Sequence, residues 1–407
     1  MEERQCNLFE SPGFSEQASS LRSWKPPASV AEAPYILSIA NLASHYITST
    51  SATSNNLDIF DKSTLQKIQT LQGHNGGITS AHSIDSVGGV VRNCIASSGR
   101  DGSVKVWDER SVTNLGQDRA LLCCDVSADG MTVAAGTELK GEDAFILYWD
   151  PRQPAAPLRT HSSTHSDDIT TVSFSPSSYG QQVLLSGSSD GLVSISNPSE
   201  DDEDEAPLNV GNFGCSVSQA GWIHGAQPGQ AAIWAASDME TFNVYPDHCL
   251  PQAERLLNLD IRSPVLHQRR TWVTDYLITA HCSPSSEPKL SVFTGSNEGD
   301  IALISNANPS TAEAPWYLHR LWTQGHTGVV RSLLYDEQNQ KIISGGEDGI
   351  LKSWNMTPLD PTSLYQAQSD GDVDMDVDET LGSPSSKGRK RDFDMDDEGR
   401  GKRARKK

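Results

Sequence analysis

The stretch IASSGRDGSVKVWD, residues 95–108, decides the fold because it joins two β-prone runs through a tight turn. Small residues end the first run, Asp101-Gly102 form the turn, and the second run closes on Trp107. An Asp-Gly pair between alternating runs is a strong hairpin signal. The phrase returns as LLSGSSDGLVSISN (184–197) and IISGGEDGILKSWN (342–355), and in each copy the turn aspartate lies six residues before the closing position.

Four weaker copies follow the same spacing and bring the number of repeats to seven. Their closing positions are 42 to 59 residues apart along the chain. Repeats of this length that each supply about four short strands are typical of a propeller, in which neighbouring blades cover one another's faces. We therefore predict an all-β, seven-bladed propeller over residues 34–366, preceded by a leader (1–33) and followed by a tail (367–407). The closing positions are Phe60, Trp107, Trp149, Ser196, Tyr245, Ile304 and Trp354.

These repeats resemble those of the WD40 family, in which a His, a strand Ser, the turn Asp and the closing Trp bond in series. The resemblance implies a structural network that satisfies buried polar groups within a blade. Ser, His and Asp together could also suggest a hydrolase triad, but the set recurs in separate blades without a G-x-S-x-G elbow. We therefore expect no enzyme activity, no cofactor and no metal. The network residues are His74, Ser97, Asp101, Trp107, Asp143, Trp149, His165, Ser186, Asp190, His326, Ser344, Asp348 and Trp354.

Four longer stretches resemble one branch of that family, the WD repeat-containing protein 89 group, in its fungal form. They are DAFILYWDPR (143–152), THSDDITTVSFSP (164–176) with the repeat that follows it, GCSVSQAGWIHG (214–225), and the segment from Gly325 to Trp354. The resemblance covers residues 36–355. It implies a propeller with a binding role and does not define the bound partner.

Charge and composition exclude several classes of protein. The net charge is −21, of which residues 1–366 carry −20, and this disfavours duplex nucleic acid and favours basic protein partners. No window approaches 18 consecutive apolar residues, and the N-terminus lacks the basic and apolar segments of a secretion signal, so we expect no membrane span. The seven cysteines include no C-x-x-C pair, which indicates reduced thiols.

Two segments leave alternatives open. The leader shows no clear periodicity and is either flexible or supplies a strand that closes the ring with the last blade; residues after Trp354 could close it instead. Six consecutive acids, EDDEDE (200–205), are either a solvated loop or an electrostatic attractor for a basic partner.

The tail alternates acidic and basic blocks and lacks the apolar residues that would offset the entropy of ordering, so we predict disorder. Two basic clusters ten residues apart resemble a bipartite nuclear localisation signal and predict binding to an import receptor, with a nuclear location that does not exclude a cytoplasmic pool. Contact with nucleic acid is the alternative role for these clusters. Ser383, before a proline, is a candidate phosphorylation site. The signal residues are Lys387, Arg389, Lys390, Arg391, Lys402, Arg403, Arg405, Lys406 and Lys407.

Two functional hypotheses of different classes follow. In the first, the protein is a non-catalytic interaction scaffold that holds or escorts basic nuclear proteins such as histones or ribosomal proteins. In the second, it is a substrate receptor of a cullin-4 ubiquitin ligase, because two successive repeats carry a W-D-x-R box whose arginine could reach an adaptor. The boxes comprise Trp107, Asp108 and Arg110, and Trp149, Asp150 and Arg152.

Overall fold

The chain forms seven β-sheets arranged as the blades of a propeller, and the predicted fold is confirmed. No α-helix occurs in the part of the chain that the structure describes. This computed structural model describes residues 7–27, 33–51, 55–107, 112–116, 119–177, 181–224, 231–245, 259–262, 264–266, 272–283, 290–306 and 315–359.

The strands of a blade follow one another along the chain and pair antiparallel with their neighbours. The first strand of each blade lies innermost, along a central channel. In chain order the strands are Ile36–Asn41, His45–Thr50, Asn56–Asp61 and Lys67–Gln72 in blade 1; Ile78–Val87, Val90–Gly99, Ser103–Trp107 and Val112–Gly116 in blade 2; Leu121–Val126, Val133–Thr137, Ile146–Trp149 and Arg159–His161 in blade 3; Ile169–Phe174, Leu184–Ser188, Leu192–Ser196 and Pro207–Asn212 in blade 4; Val217–His224, Ala231–Ser237, Thr241–Tyr245 and Leu259–Asp260 in blade 5; Tyr276–Cys282, Leu290–Gly295, Ile301–Asn306 and Trp316–Trp322 in blade 6; and Val330–Asp336, Lys341–Gly346 and Leu351–Asn355 in blade 7.

All seven closing positions lie in the third strand of a blade, so the six-residue spacing between turn and closing residues located the repeats correctly. The large closing side chains are buried between neighbouring blades. For example, Phe60 and Tyr46 of blade 1 pack in one cluster with Ile343 and Leu351 of blade 7. Each sheet is therefore covered by its neighbours, and the ring as a whole buries the apolar surface.

Every innermost strand carries a β-bulge near its start. The pairing register shifts after the first paired residue in six blades, as between Ile78 and Ser80 in blade 2, and after the second in blade 6, between Leu277 and Thr279. A bulge bends its strand and increases the local twist. The repeated bulge therefore bends the inner strands alike around the channel.

The N-terminal segment supplies the strand that completes blade 7. Arg22–Trp24 pairs antiparallel with Leu351–Asn355, and Leu21 N donates to Ser353 O at 2.7 Å. Of the two alternatives for the leader, the structure shows a strand rather than a flexible segment over this stretch. Asn7–Gln17 forms a further strand that runs parallel to Trp316–Trp322 in blade 6, with a register shift around Pro12-Gly13. Val265–Leu266 pairs with the start of that strand.

Candidate functional site

The predicted polar sets of blades 2 and 7 lie together as hydrogen-bonded chains. His74 Nδ1 is 2.8 Å from Asp101 Oδ1, His74 Nε2 is 2.8 Å from Ser97 Oγ, and Trp107 Nε1 donates to that oxygen at 2.8 Å. In blade 7, His326, Asp348, Ser344 and Trp354 repeat the arrangement at 2.8 to 3.1 Å. His, Ser and Trp are buried in both blades, so this constellation holds a turn to a strand and leaves no serine open to a substrate.

The protonation states fit a structural network. Burial lowers the pKa of His74, so its imidazole is neutral at pH 7. Burial alone would raise the pKa of Asp101, but hydrogen bonds from His74 and Ser103 outweigh it and lower the pKa to about 2. A neutral histidine beside an ionised aspartate donates from Nδ1 and accepts at Nε2, so the Ser97 hydroxyl donates a hydrogen bond to His74 Nε2 and accepts one from Trp107 Nε1.

Blades 3 and 4 depart from the full set. In blade 4, His165 bonds Asp190 at 3.2 Å and Ser186 at 2.8 Å, and Ser196 replaces the tryptophan. In blade 3, Trp149 Nε1 is buried without a hydrogen-bond partner. The prediction that Asp143 and Trp149 belong to such a network is wrong. Ala135 occupies the strand position that Ser97 has in blade 2, so blade 3 has no hydroxyl there to accept from the tryptophan.

The second W-D-x-R box forms a compact ion pair. Arg152 donates from Nε and Nη2 to Asp150, with Nη2 at 2.5 Å from Oδ2, and the hydrogen bonds from Arg152 lower the pKa of Asp150 to about 2. The arginine side chain is nonetheless 56% exposed. Trp149, the first residue of the box, is wholly buried. In the first box Trp107 closes its strand, while Asp108 and Arg110 lie outside the described residues.

An apolar hairpin tip lies beside this arginine. Val90 and Val91 begin the second strand of blade 2 and are 55% and 90% exposed. A side chain at Gly88 would lie 3.7 Å from Arg152 Cγ, and one at Gly89 would lie 3.1 Å from Met131 Sδ. The tip, Met131 and Arg152 therefore form one surface on blades 2 and 3 that sequence spacing did not predict, because the contributing residues come from three separate turns.

The central channel has a volume of about 530 Å³ and is lined by the first strands of all seven blades. Inner-strand side chains bridge several seams between blades. Thr79 Oγ1 donates to Leu121 O at 2.7 Å, Thr170 Oγ1 to Val217 O at 2.6 Å, and Ser332 Oγ to Ile36 O at 3.1 Å. The last of these bonds joins blade 7 to blade 1 and helps to close the ring.

The acidic loop 200–205 is anchored on blade 3. Asp201 accepts from Arg159, and Glu203 accepts from the backbone N of Ser162 at 2.6 Å, which lowers the pKa of Glu203. Asp202, Asp204 and Glu205 have exposed positions. The carboxylates of Asp201 and Glu203 therefore attach the loop to blade 3, while those of Asp202, Asp204 and Glu205 are at exposed positions.

The comparison with known families agrees with these repeats. The family model for the WD domain, G-beta repeat, matches residues 65–108, 156–195 and 318–355. These three segments of the chain are therefore WD40 repeats. The WD40 match at 65–108 includes the complete His74 network, and the match at 318–355 includes the His326 network.

Similar proteins of several organisms support the WD40 assignment. An uncharacterized WD repeat-containing protein of Schizosaccharomyces pombe is 26% identical, covering 73% of this chain and 88% of the relative. Another such protein, from Saccharomyces cerevisiae, is 29% identical, covering 65% of this chain and 66% of the relative. The WD repeat-containing protein 89 homolog of Dictyostelium discoideum is 23% identical, covering 74% and 78%. The resemblance to that group and to fungal proteins is therefore confirmed.

Burial suppresses the ionisation of two cysteine thiols in the propeller. Burial raises the pKa of the Cys123 and Cys282 thiols to about 12. Five cysteines are free thiols, and Cys6 and Cys249 lie outside the described residues. Within the described ranges no group of three His, Cys, Asp or Glu side chains could hold a metal ion. The same ranges contain no helix long and apolar enough to cross a membrane.

WD40 propellers are generally non-enzymatic scaffolds that bind other proteins, and a rigid ring with loops at both ends suits that role. The His-Ser-Asp sets of this ring satisfy buried groups.

Proposed function

We propose that this WD40 propeller is a non-catalytic scaffold of the nucleus that holds basic proteins, such as histones or ribosomal proteins. The observation that carries the proposal is the spread of carboxylates over the loops of the folded ring, within a segment of net charge −20. A surface potential of one sign raises the local concentration of partners of the other sign and increases their association rate.

Carboxylates occur at both ends of the ring. In an antiparallel blade, turns between the second and third strands lie at one end, and turns between the first and second or the third and fourth strands lie at the other. Exposed acids at the first end include Glu142, Asp238 and Glu298. The opposite end carries Asp129 and the acidic loop 200–205. A basic partner would therefore meet negative charge at either face of the ring.

The nuclear part of the proposal depends on the tail, which lies outside the described residues. The basic clusters at 387–391 and 402–407 support it, since two clusters at that separation can engage two acidic pockets of an import receptor at once.

The test of the scaffold is a triple variant of the acidic loop, Asp202→Asn with Asp204→Asn and Glu205→Gln. It removes three exposed charges and keeps the Asp201 and Glu203 anchors, so the loop should stay in place. We expect weaker binding of purified core histones in titrations at 0.1 M salt, and a smaller difference between variant and wild type at 1 M, where screening shortens the Debye length to about 3 Å. If the variant binds histones as tightly as the wild type at 0.1 M salt, the acidic loop is not part of the binding surface. If the wild type does not bind histones, the proposal is wrong.

A second candidate function, substrate receptor of a cullin-4 ubiquitin ligase, is favoured by the exposed Arg152 beside the apolar tip of Val90 and Val91. A planar guanidinium next to aliphatic side chains suits a protein surface with a carboxylate and an apolar patch. The double variant Arg110→Ala with Arg152→Ala should reduce recovery of the ligase adaptor from nuclear extract while histone binding is unchanged. The loop variant should do the reverse, so each variant is the control for the other. Adaptor recovery that is equal for wild type and double variant would exclude this candidate.

A further inference from the structure

A recess branches from the channel between blades 4, 5 and 6. Its volume is about 330 Å³, and it shares Ser173 and Trp234 with the channel wall. That volume corresponds to roughly eleven water molecules and lies at the lower end of the range for ligand pockets. The recess is therefore suited to one long side chain rather than to a folded element.

Three aromatic side chains line the recess: Phe174 of blade 4, and Trp222 and Trp234 of blade 5. Trp222 Nε1 donates to Ser173 O at 3.1 Å, which fixes the indole. Trp234 lies directly over Gly221, where a Cβ would come within 2.7 Å of Nε1, so the missing side chain is what admits the second ring. Aromatic ring faces carry negative electrostatic potential and attract cations.

Carboxylates are held against the residues of this wall from two sides. Asp125 Oδ2 accepts from Phe174 N at 2.7 Å, and Glu337 Oε1 is 2.7 Å from His281 Nε2. The hydrogen bond from His281 lowers the pKa of Glu337, so that carboxylate is ionised at neutral pH. Neither lysine nor arginine lines the recess, although His224 and His281 do, and the arginine that lines the channel, Arg331, is paired with Glu347. The carboxylates behind the wall and the ring faces thus have the same sign.

We propose that this recess binds the side chain of a lysine or arginine from a basic partner protein. The aliphatic stem lies along the rings of Trp222 and Trp234, and the cationic head is stabilised by the ring faces and by the charges of Glu337 and Asp125, which lie behind the lining residues His281 and Phe174. An acidic side chain is repelled, and a short neutral one leaves the rings uncovered. This inference rests on the proposed function and deepens it, since it names the partner group and its place on the propeller.

The test uses the full chain and a fluorescein-labelled peptide of alternating glycine and lysine, followed by fluorescence anisotropy at 0.1 M salt. Glu337→Gln keeps an oxygen for His281 and removes the charge, and we expect about tenfold weaker binding. Trp222→Phe keeps an aromatic ring of lower potential, and we expect about threefold weaker binding. The matched control is Glu298→Gln, which removes an exposed charge from a turn of blade 6 outside the recess and should change affinity less than twofold.

The outcomes separate the two proposals. Equal weakening by Glu337→Gln and Glu298→Gln would show a general field effect and overturn the recess. So would unchanged affinity in both Glu337→Gln and Trp222→Phe while the wild type binds the peptide. If the wild type binds neither the peptide nor core histones, the scaffold for basic proteins itself fails. Urea midpoints of all three variants, compared with wild type, exclude loss of affinity through unfolding.

Discussion

Trp149 and Trp354 occupy the same position in their blades and differ by one hydrogen bond. Trp354 Nε1 donates to Ser344 Oγ at 2.9 Å, whereas Trp149 Nε1 is buried without a partner. Both side chains have no exposed surface. Replacing each with phenylalanine removes a similar part of a buried ring, so the pair isolates the contribution of the network from that of packing.

The expected difference follows from the two hydrogen-bond states. Trp354→Phe loses a bond worth about 1 kcal/mol in net stability. Trp149→Phe removes a buried donor that already lacks an acceptor and that costs about 1 to 3 kcal/mol. Since the packing losses are comparable, Trp354→Phe should reduce the free energy of unfolding by about 2 to 4 kcal/mol more than Trp149→Phe.

The assay is urea denaturation followed by far-UV circular dichroism at pH 7. The slope of the unfolding free energy against urea concentration must be the same in both variants, because only then do the midpoints report stability. For a chain of this size, each kcal/mol corresponds to a shift of roughly 1.5 °C in the thermal midpoint. Equal losses in the two variants, or a larger loss in Trp149→Phe, would refute the assignment of Trp354 to a stabilising network.

Three further predictions concern pH, ring closure and location. Burial lowers the pKa of His319 to about 4, while the unfolded residue titrates near 6.5, so the contribution of His319 to stability should be full above pH 6.5 and lost as the pH falls towards 4. Urea denaturation at pH 4.5 should show about 2.5 kcal/mol less of this loss in His319→Asn, and an unaltered pH profile would contradict the prediction. Deleting residues 1–24 removes the outer strand of blade 7 together with Asn7–Gln17, which pairs with blade 6, so gel filtration should show aggregation, whereas a deletion that ends before Asn7 should elute as the wild type does. A monomeric, cooperatively unfolding product of the longer deletion would argue against a stabilising role for both strands. A fluorescent reporter fused to residues 380–407 should accumulate in the nucleus and lose that location when Lys390 and Arg391 become alanine; cytoplasmic retention of the unmodified fusion would sink the localisation proposal.

The sequence was sufficient to predict the positions of the blades, because each repeat has a turn residue and a closing residue at a fixed spacing. Even Tyr245 and Ile304, which lack the tryptophan, stand at the correct distance from their turns. The strand Asn7–Gln17 was not predicted, because Pro12-Gly13 interrupts its alternation and its partner strand lies about 300 residues away.

The candidate sites were less accessible to sequence reasoning. The absence of the network in blade 3 could have been predicted by aligning the second strands of the blades, because Ala135 stands in the place of Ser97. The recess could not, because Phe174, Trp222 and His281 come from three blades and converge only when the ring closes. Tertiary convergence of this kind leaves no periodic signal in a single chain.

Completion of blade 7 by a strand from the beginning of the chain determines when the protein can finish folding. Trp24 and Leu351 are separated by 326 residues, so a ribosome working at 5 to 20 residues per second needs roughly 15 to 65 seconds between making one partner and making the other. Throughout that interval Arg22–Trp24 has no partner strand, and Asn7–Gln17 has none until Val265–Leu266 and Trp316–Trp322 have been made, so the growing row of blades has an open edge. Contacts of such long sequence separation form slowly and leave the chain prone to aggregation. We therefore expect the nascent polypeptide to be the form of this protein that most needs a chaperone, and the pairing of Arg22–Trp24 with Leu351–Asn355 to be the step that limits the yield of folded protein.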